Sequence, residues 1–165
     1  MSARTASAEV RGVLLPLQAG QLLLPHMTLS EVIGYRSPQS HPDNAPEWLL
    51  GMITWRRVPV PLVSYEILAG GAGDVEVGHR ARIAICHTLN AHPQRPFTGI
   101  LLRSIPRLIR VTEELIAPIE RPEREREMVA SQVWVGGQEA WIPDLDALEQ
   151  ALDQYIGEAE GASSA

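Results

Sequence analysis

The chain has 165 residues, a formal net charge of −6 and 45% hydrophobic content. That suits one domain or two small fused subdomains and is too apolar for a disordered segment. The acidic balance, relieved only by short arginine clusters, argues against nucleic acid as a partner. No run of about 18 apolar residues is present to span a membrane, and residues 1–9 lack the apolar core of a signal peptide. Cys86, the single cysteine, excludes an internal disulfide. The expectation is a soluble cytoplasmic protein without membrane insertion.

In chain order, residues 1–9 read as a disordered N-terminal tail. Alternation from Val10, the turn Gln18-Ala19-Gly20 and the return to Pro25 predict an antiparallel hairpin, extended by Thr28 to Tyr35. Ser37 to Pro46, with three prolines and an Asp-Asn pair, predicts an exposed loop. Next come Trp48, Gly51 and Trp55, the cation pair Arg56-Arg57, and the apolar run Val58 to Val63 interrupted by Pro59 and Pro61. Proline donates no ladder hydrogen bond, so this run predicts an edge strand or a tightly curved barrel strand. Two readings fit the residue types: a core strand that begins with a solvated Arg pair, or an interface of planar cations beside apolar surface.

Tyr65 to Leu68 suits a helical turn ending at Gly70, and Gly70 to Asp74 a flexible connection. That connection fails as a phosphate cradle, because no Lys-Ser/Thr follows it. Arg80 to Thr88 alternates as a strand, with Ala81, Ile83, Ile85 and His87 on one face. Asn90 to Pro96 reads as a turn. Phe97 to Arg103 and Ile105 to Val111 predict two strands, with Ile105, Ile109 and Val111 sharing a face. Ala117 to Glu127, with its alternating charges, reads as surface loop or frayed helix. Gly136-Gly137 between Val133 and Ile142 is the clearest hairpin signal, since both glycines accept positive φ. Leu145, Leu148, Leu152 and Ile156 then define an amphipathic helix, with Asp144 as N-cap and Gly157 as stop. Residues 157–165 form a tail of small residues.

The expected fold is therefore mainly β. Residues 10–156 form two successive barrel-like halves, about 10–70 and 80–143, and a C-terminal α-helix over 144–156. No catalytic constellation, cofactor or metal site emerges. The five histidines, His26, His41, His79, His87 and His92, lack the i,i+4 spacing that aims two imidazoles at one metal. Cys86 suits a small apolar position on a strand better than a reactive thiol. No Gly-x-Ser-x-Gly elbow is present.

The segment Pro46-x-Trp48-x-x-Gly51-x-Ile53-x-Trp55-Arg56, followed by Pro61-Leu62-Val63, resembles the hallmark stretch of the CheW family, coupling proteins of bacterial chemosensory arrays. Gly99 to Leu102 and Gly136 to Leu148 agree more loosely, so the resemblance covers about residues 10–155. Thr54 stands at the usual Asn, Arg57 at the usual Gly, and Ser64 and Arg103 at usual Asp positions. The wording Pro-Leu-Val-Ser-Tyr-Glu is closer to the divergent type IV pilus (twitching-motility) branch.

The resemblance implies two intertwined five-stranded SH3-like barrels and no catalysis. It also implies an adaptor between a methyl-accepting chemoreceptor and a CheA-type histidine kinase, whose own CheW-like domain it would contact. It makes Arg56 the leading protein-interface residue, with Arg57, Val60 and Leu62 as further candidates. The alternative is a small-anion-binding barrel or enzyme that uses the Arg56/Arg57 region.

Overall fold

A computed structural model describes residues 9–70, 77–88, 95–122 and 126–157. Those residues form eleven strands: β1 Val10–Pro16, β2 Gln21–Pro25, β3 Leu29–Gly34, β4 Leu49–Trp55, β5 Val58–Val63, β6 Arg82–His87, β7 Phe97–Leu102, β8 Arg107–Val111, β9 Ile116–Pro118, β10 Val129–Val135 and β11 Gln138–Pro143. A short helix α1, Tyr65–Leu68, follows β5. Helix α2, Leu145–Leu152, follows β11 and runs on into a π-helical turn, Asp153–Gly157.

The mainly β fold with a C-terminal helix is as expected, but the contiguous halves 10–70 and 80–143 are not what the strands build. One sheet has six strands in the order β8-β1-β2-β11-β10-β9, and the other has five in the order β3-β6-β7-β5-β4. The N-terminal hairpin thus sits inside the sheet made by the C-terminal strands, while β6 and β7 complete the sheet begun by β3 to β5. Two short parallel joins produce this exchange. Trp141 on β11 pairs with Leu22 on β2, and Leu62 and Val63 on β5 pair with Gly99 and Ile100 on β7.

Strand alternation sorts the apolar side chains into three cores. Ile53, Trp55, Val60, Leu62, Ile83 and Ile85 fill the concave side of the five-stranded sheet. Leu14, Leu23, Val133, Val135 and Ala140 fill that of the six-stranded sheet. The largest core lies between the sheets, where Leu15, Leu22 and Leu24 meet Val63, Ala84, Cys86, Ile100, Trp141 and the helix residues Leu148, Leu152 and Ile156. Strand β6 therefore buries both faces, Ile83 and Ile85 into one core and Ala84 and Cys86 into another, leaving His87 exposed.

Caps form where the sequence places them. The Asp144 carboxylate accepts the Ala147 N–H at 3.0 Å, and Ser64 Oγ accepts the Ile67 N–H at 3.3 Å to start α1. Ser and Asp are equivalent N-caps, so the Ser64 departure preserves that local role. Gly136 and Gly137 take φ of 56° and 83° in the β10–β11 turn, as a two-residue hairpin requires.

Two local expectations change and a third is narrowed. Ile116–Pro118 is a strand paired with β10 through Val133↔Pro118 and Val135↔Ile116, not loop or helix. Ile105 lies ahead of β8 and is 65% exposed, apart from the face that Ile109 and Val111 share. Of the two alternatives for the proline-interrupted run, the structure gives the curved barrel strand: β5 is interior to its curled sheet, and its pairing with β7 begins only at Leu62, past both prolines. Most of the Gly70 to Asp74 connection, the turn before Arg95, the Glu123–Glu127 run at 123–125 and the tails at 1–8 and 158–165 lie outside the described residues.

Candidate protein-interaction site

Strands β4 and β5 pair through Trp55↔Val58 and Thr54↔Pro59, leaving Arg56 and Arg57 as the two turn residues. Their φ values are 49° and 66°, the left-handed pair that a type I′ turn demands and that glycine or asparagine meets at least cost. Strand twist therefore dictates the backbone here, and the arginines adopt it despite their Cβ atoms. Gly51, in the bulge of β4, has φ of 140°, and a Cβ there would lie 2.5 Å from Pro38 Cβ. That close approach lets residues 38–41 cross the outer edge of β4. The Gln39 N–H donates to Met52 O at 2.7 Å and the Met52 N–H to Ser40 O at 2.8 Å. Arg36 donates to Thr54 O at 2.6 Å, and Thr54 Oγ1 donates to Gln39 Oε1 at 2.8 Å. Thr54 thus serves the loop rather than the turn.

The Arg56 side chain is organised by a residue that sequence reasoning missed. Glu31 lies on β3, and β3 and β4 are the two end strands of the five-stranded sheet. The indole N–H of Trp55 donates to Glu31 Oε2 at 2.6 Å, and Arg56 pairs with Glu31 Oε1 at 3.4 Å. The Arg56 guanidinium also stands 4.6 Å from the centroid of the Trp55 ring, within cation–π range. Trp55 is 3% exposed and meets Phe97 edge-on at 4.7 Å. A carboxylate, an indole and a guanidinium therefore clasp the two free edges of the sheet together. Arg56 remains 67% exposed outside that clasp. No sequence signal marks Glu31, because its partner is set by sheet closure across 24 residues.

The other candidates divide. Arg57 is exposed and has no hydrogen bond or ion pair among the described residues. Val60 and Leu62 are at 0% exposure. Alternation along β5 turns both into the concave core, so their role is packing, and the interface assignment does not extend to them. Exposed apolar side chains lie elsewhere: Met27 at 88% and Leu108 at 72%. Leu108 lines a cleft of about 290 Å³ with Arg11, His26 and Arg110. Alternation along β8 places it opposite Ile109 and Val111, which pack against the core of the six-stranded sheet.

The chemistry of these residues is that of contact. Burial pushes the Cys86 thiol up to about 12. Tyr65, fully buried, is raised by desolvation and by the Asp144 charge, and its hydroxyl donates to Met128 O at 2.7 Å. Neither group is poised to ionise near neutral pH. Among the described residues, no group of three or more His, Cys, Asp or Glu is placed to hold a metal ion.

Two curled sheets share a core, with a C-terminal helix laid into it, the mainly β arrangement expected of the CheW-like fold. The CheW-like domain profile matches residues 11–152, and the chain belongs to that family. The crystal structure of scaffolding protein TtCheW from Thermoanaerobacter tengcongensis superposes with a TM-score of 0.66 at 18% identity, over 81% of this chain and 88% of that one, a likeness of fold. Comparison with curated proteins returned no match. The family is one of non-catalytic scaffolding adaptors, in line with the absence of catalysis expected from sequence. No helix among the described residues is long and apolar enough to cross a membrane.

Proposed function

We propose that this chain is a cytoplasmic adaptor that couples a methyl-accepting chemoreceptor to a CheA-type histidine kinase, with the Arg56 turn as part of the kinase- or receptor-facing surface. The observation that carries this reading is the combination of family membership with a guanidinium that is held in place yet 67% exposed. A fixed arginine beside aromatic area loses little entropy on binding and is a common hot spot. Receptor state would then bias which arrangement of receptor and kinase the adaptor stabilises. The wording of Pro61 to Glu66 favours the type IV pilus branch over flagellar chemotaxis.

The anion-site alternative at Arg56 and Arg57 is less well supported, because Glu31 and the Trp55 face already engage the Arg56 guanidinium. The test is calorimetric titration of the purified chain with a CheA-type kinase from the same organism, run in parallel with Arg56→Ala. The variant is expected to bind about 30-fold more weakly, the equivalent of roughly 2 kcal/mol, with a melting temperature near wild type. Equal binding would remove Arg56 from the interface. Failure of the wild-type chain to bind would remove the coupling role.

A further inference from the structure

We infer that the cleft between the β1–β2 turn and the adjoining ends of β6 and β7 binds a small phosphate-bearing molecule. This goes beyond the coupling role and does not depend on it.

The cleft measures about 550 Å³ and is walled by Gln18 in the β1–β2 turn, by His79 and Arg80 ahead of β6, and by Arg103 and Ser104 after β7. Its volume lies within the usual range for small-molecule sites. The two arginines are brought together by strand register. Arg82 on β6 pairs with Leu102 on β7, so Arg80 and Arg103 both leave that ladder at the same end of the sheet. The wall is firm. The Arg103 N–H donates to Pro16 O at 2.9 Å, tying the two sheets together at the cleft. Arg82 Nη1 donates to the carbonyls of Arg80 and Ala81, each at 2.9 Å.

The charge is uncompensated among the described residues. Neither Arg80 nor Arg103 has a carboxylate within ion-pair distance there. Glu66, which reaches the same turn, accepts the Gln18 and Ala19 N–H groups at 2.8 Å each, one on each carboxylate oxygen. In a chain of net charge −6, two guanidiniums and an imidazole line this concavity with no ion pair among the described residues, whereas in the Arg11–His26–Arg110 cleft Arg110 is paired with Glu9 at 3.2 Å. Guanidinium forks match the oxygens of a phosphate in pairs, and the Ser104 hydroxyl adds an uncharged donor beside them.

The test is titration of the full chain with inorganic pyrophosphate at constant ionic strength, followed by 1H–15N correlation spectra. Succinate serves as the carboxylate control. Saturable shifts are expected at residues 16–18, 78–80 and 103–104, with an apparent Kd below about 1 mM. Arg103→Asp and Arg80→Ala should each weaken binding by about tenfold or more, and Arg11→Ala, in the other cleft, should leave it unchanged. Amide dispersion reports whether each variant is folded, and Arg103→Ser provides a milder replacement if Arg103→Asp is not. Shifts that never saturate, or binding that survives loss of either arginine in a folded variant, would overturn the site. Succinate binding as tightly as pyrophosphate would overturn the phosphate assignment. Kinase binding is measured separately, so failure here leaves the coupling role standing.

Discussion

Replacing Glu31 with Ala tests whether the clasp closes the five-stranded sheet. The Trp55 indole is 3% exposed, and its N–H donates to the Glu31 carboxylate at 2.6 Å. A hydrogen bond to a charged group contributes about 1.5–3 kcal/mol, and a buried donor left without its acceptor costs about 1–3 kcal/mol. Glu31 itself is 38% exposed, so water can partly replace it, and the lower part of that range applies. The Arg56 pair, with its guanidinium 67% exposed, adds less than about 1 kcal/mol after screening. Glu31→Ala should therefore lose about 2 kcal/mol, a fall in Tm of roughly 4–8 °C for a domain of this size. Glu31→Gln, which keeps an oxygen acceptor for the indole, should lose about half as much. Arg56→Ala should fall by less than about 4 °C. Calorimetric melting of the three variants separates these values. An unchanged Tm for Glu31→Ala, or a loss for Arg56→Ala as large as that for Glu31→Ala, would refute the clasp. The second result would also make Arg56 a brace rather than a contact.

Arg57→Gly should stabilise the chain by about 0.5–1 kcal/mol in urea unfolding, because a φ of 66° costs a residue with a Cβ about 1–2 kcal/mol and glycine's extra unfolded-state freedom offsets only part of that gain. Truncation after Pro143 removes Leu148, Leu152 and Ile156 from the shared core and Tyr155 from its edge-on contact with Trp48. The shortened chain should aggregate and bind a hydrophobic dye, whereas full solubility at an unchanged Tm would make the helix an appendage. Cys86 should resist thiol reagents in the folded chain and react on unfolding. Its thiol is raised on folding from 9.0 to about 12, so the folded state holds the proton more tightly. The associated stability is complete below pH 9 and is lost as pH rises towards 12. A Cys86→Ala variant should lack that part of the alkaline decline in Tm.

Local signals in the sequence were reliable where one element decides its own structure. The Gly136-Gly137 turn, the Asp144 cap and the helical stripe of Leu148, Leu152 and Ile156 all depend on neighbours within a few residues. The central segment carried the family through Trp48, Gly51, Trp55 and Arg56. Long-range pairing was not legible. Nothing near Leu22 indicates that it pairs with Trp141, and β6 reads as a half-buried strand because its second covering layer comes from the other sheet. Val60 and Leu62 looked like contact residues because they follow Arg56 in sequence. Only the pairing of β4 with β5 and the curl of the sheet show that they face inward. Glu31 escaped notice for the same reason, since its indole and guanidinium partners lie on the opposite edge of its sheet.

The exchange of strands between sheets also sets an order on how the chain must fold. Strands β1 and β2 leave the ribosome before the other strands, yet their neighbours β8 and β11 come from residues 107–111 and 138–143. At about 5–20 residues per second, the interval between synthesis of Pro25 and Pro143 is roughly 6–24 s. Until β8 is complete at Val111 and β11 at Pro143, the Leu-rich hairpin has open edges, the kind of species that chaperones capture. The five-stranded sheet, whose strands all lie between Leu29 and Leu102, has all its strands available first. Pairings this distant also predict slow refolding for a domain of this size. A hairpin that waits for its neighbours from the same chain can meanwhile accept them from another, and domain-swapped dimers are the expected by-product of refolding at high concentration.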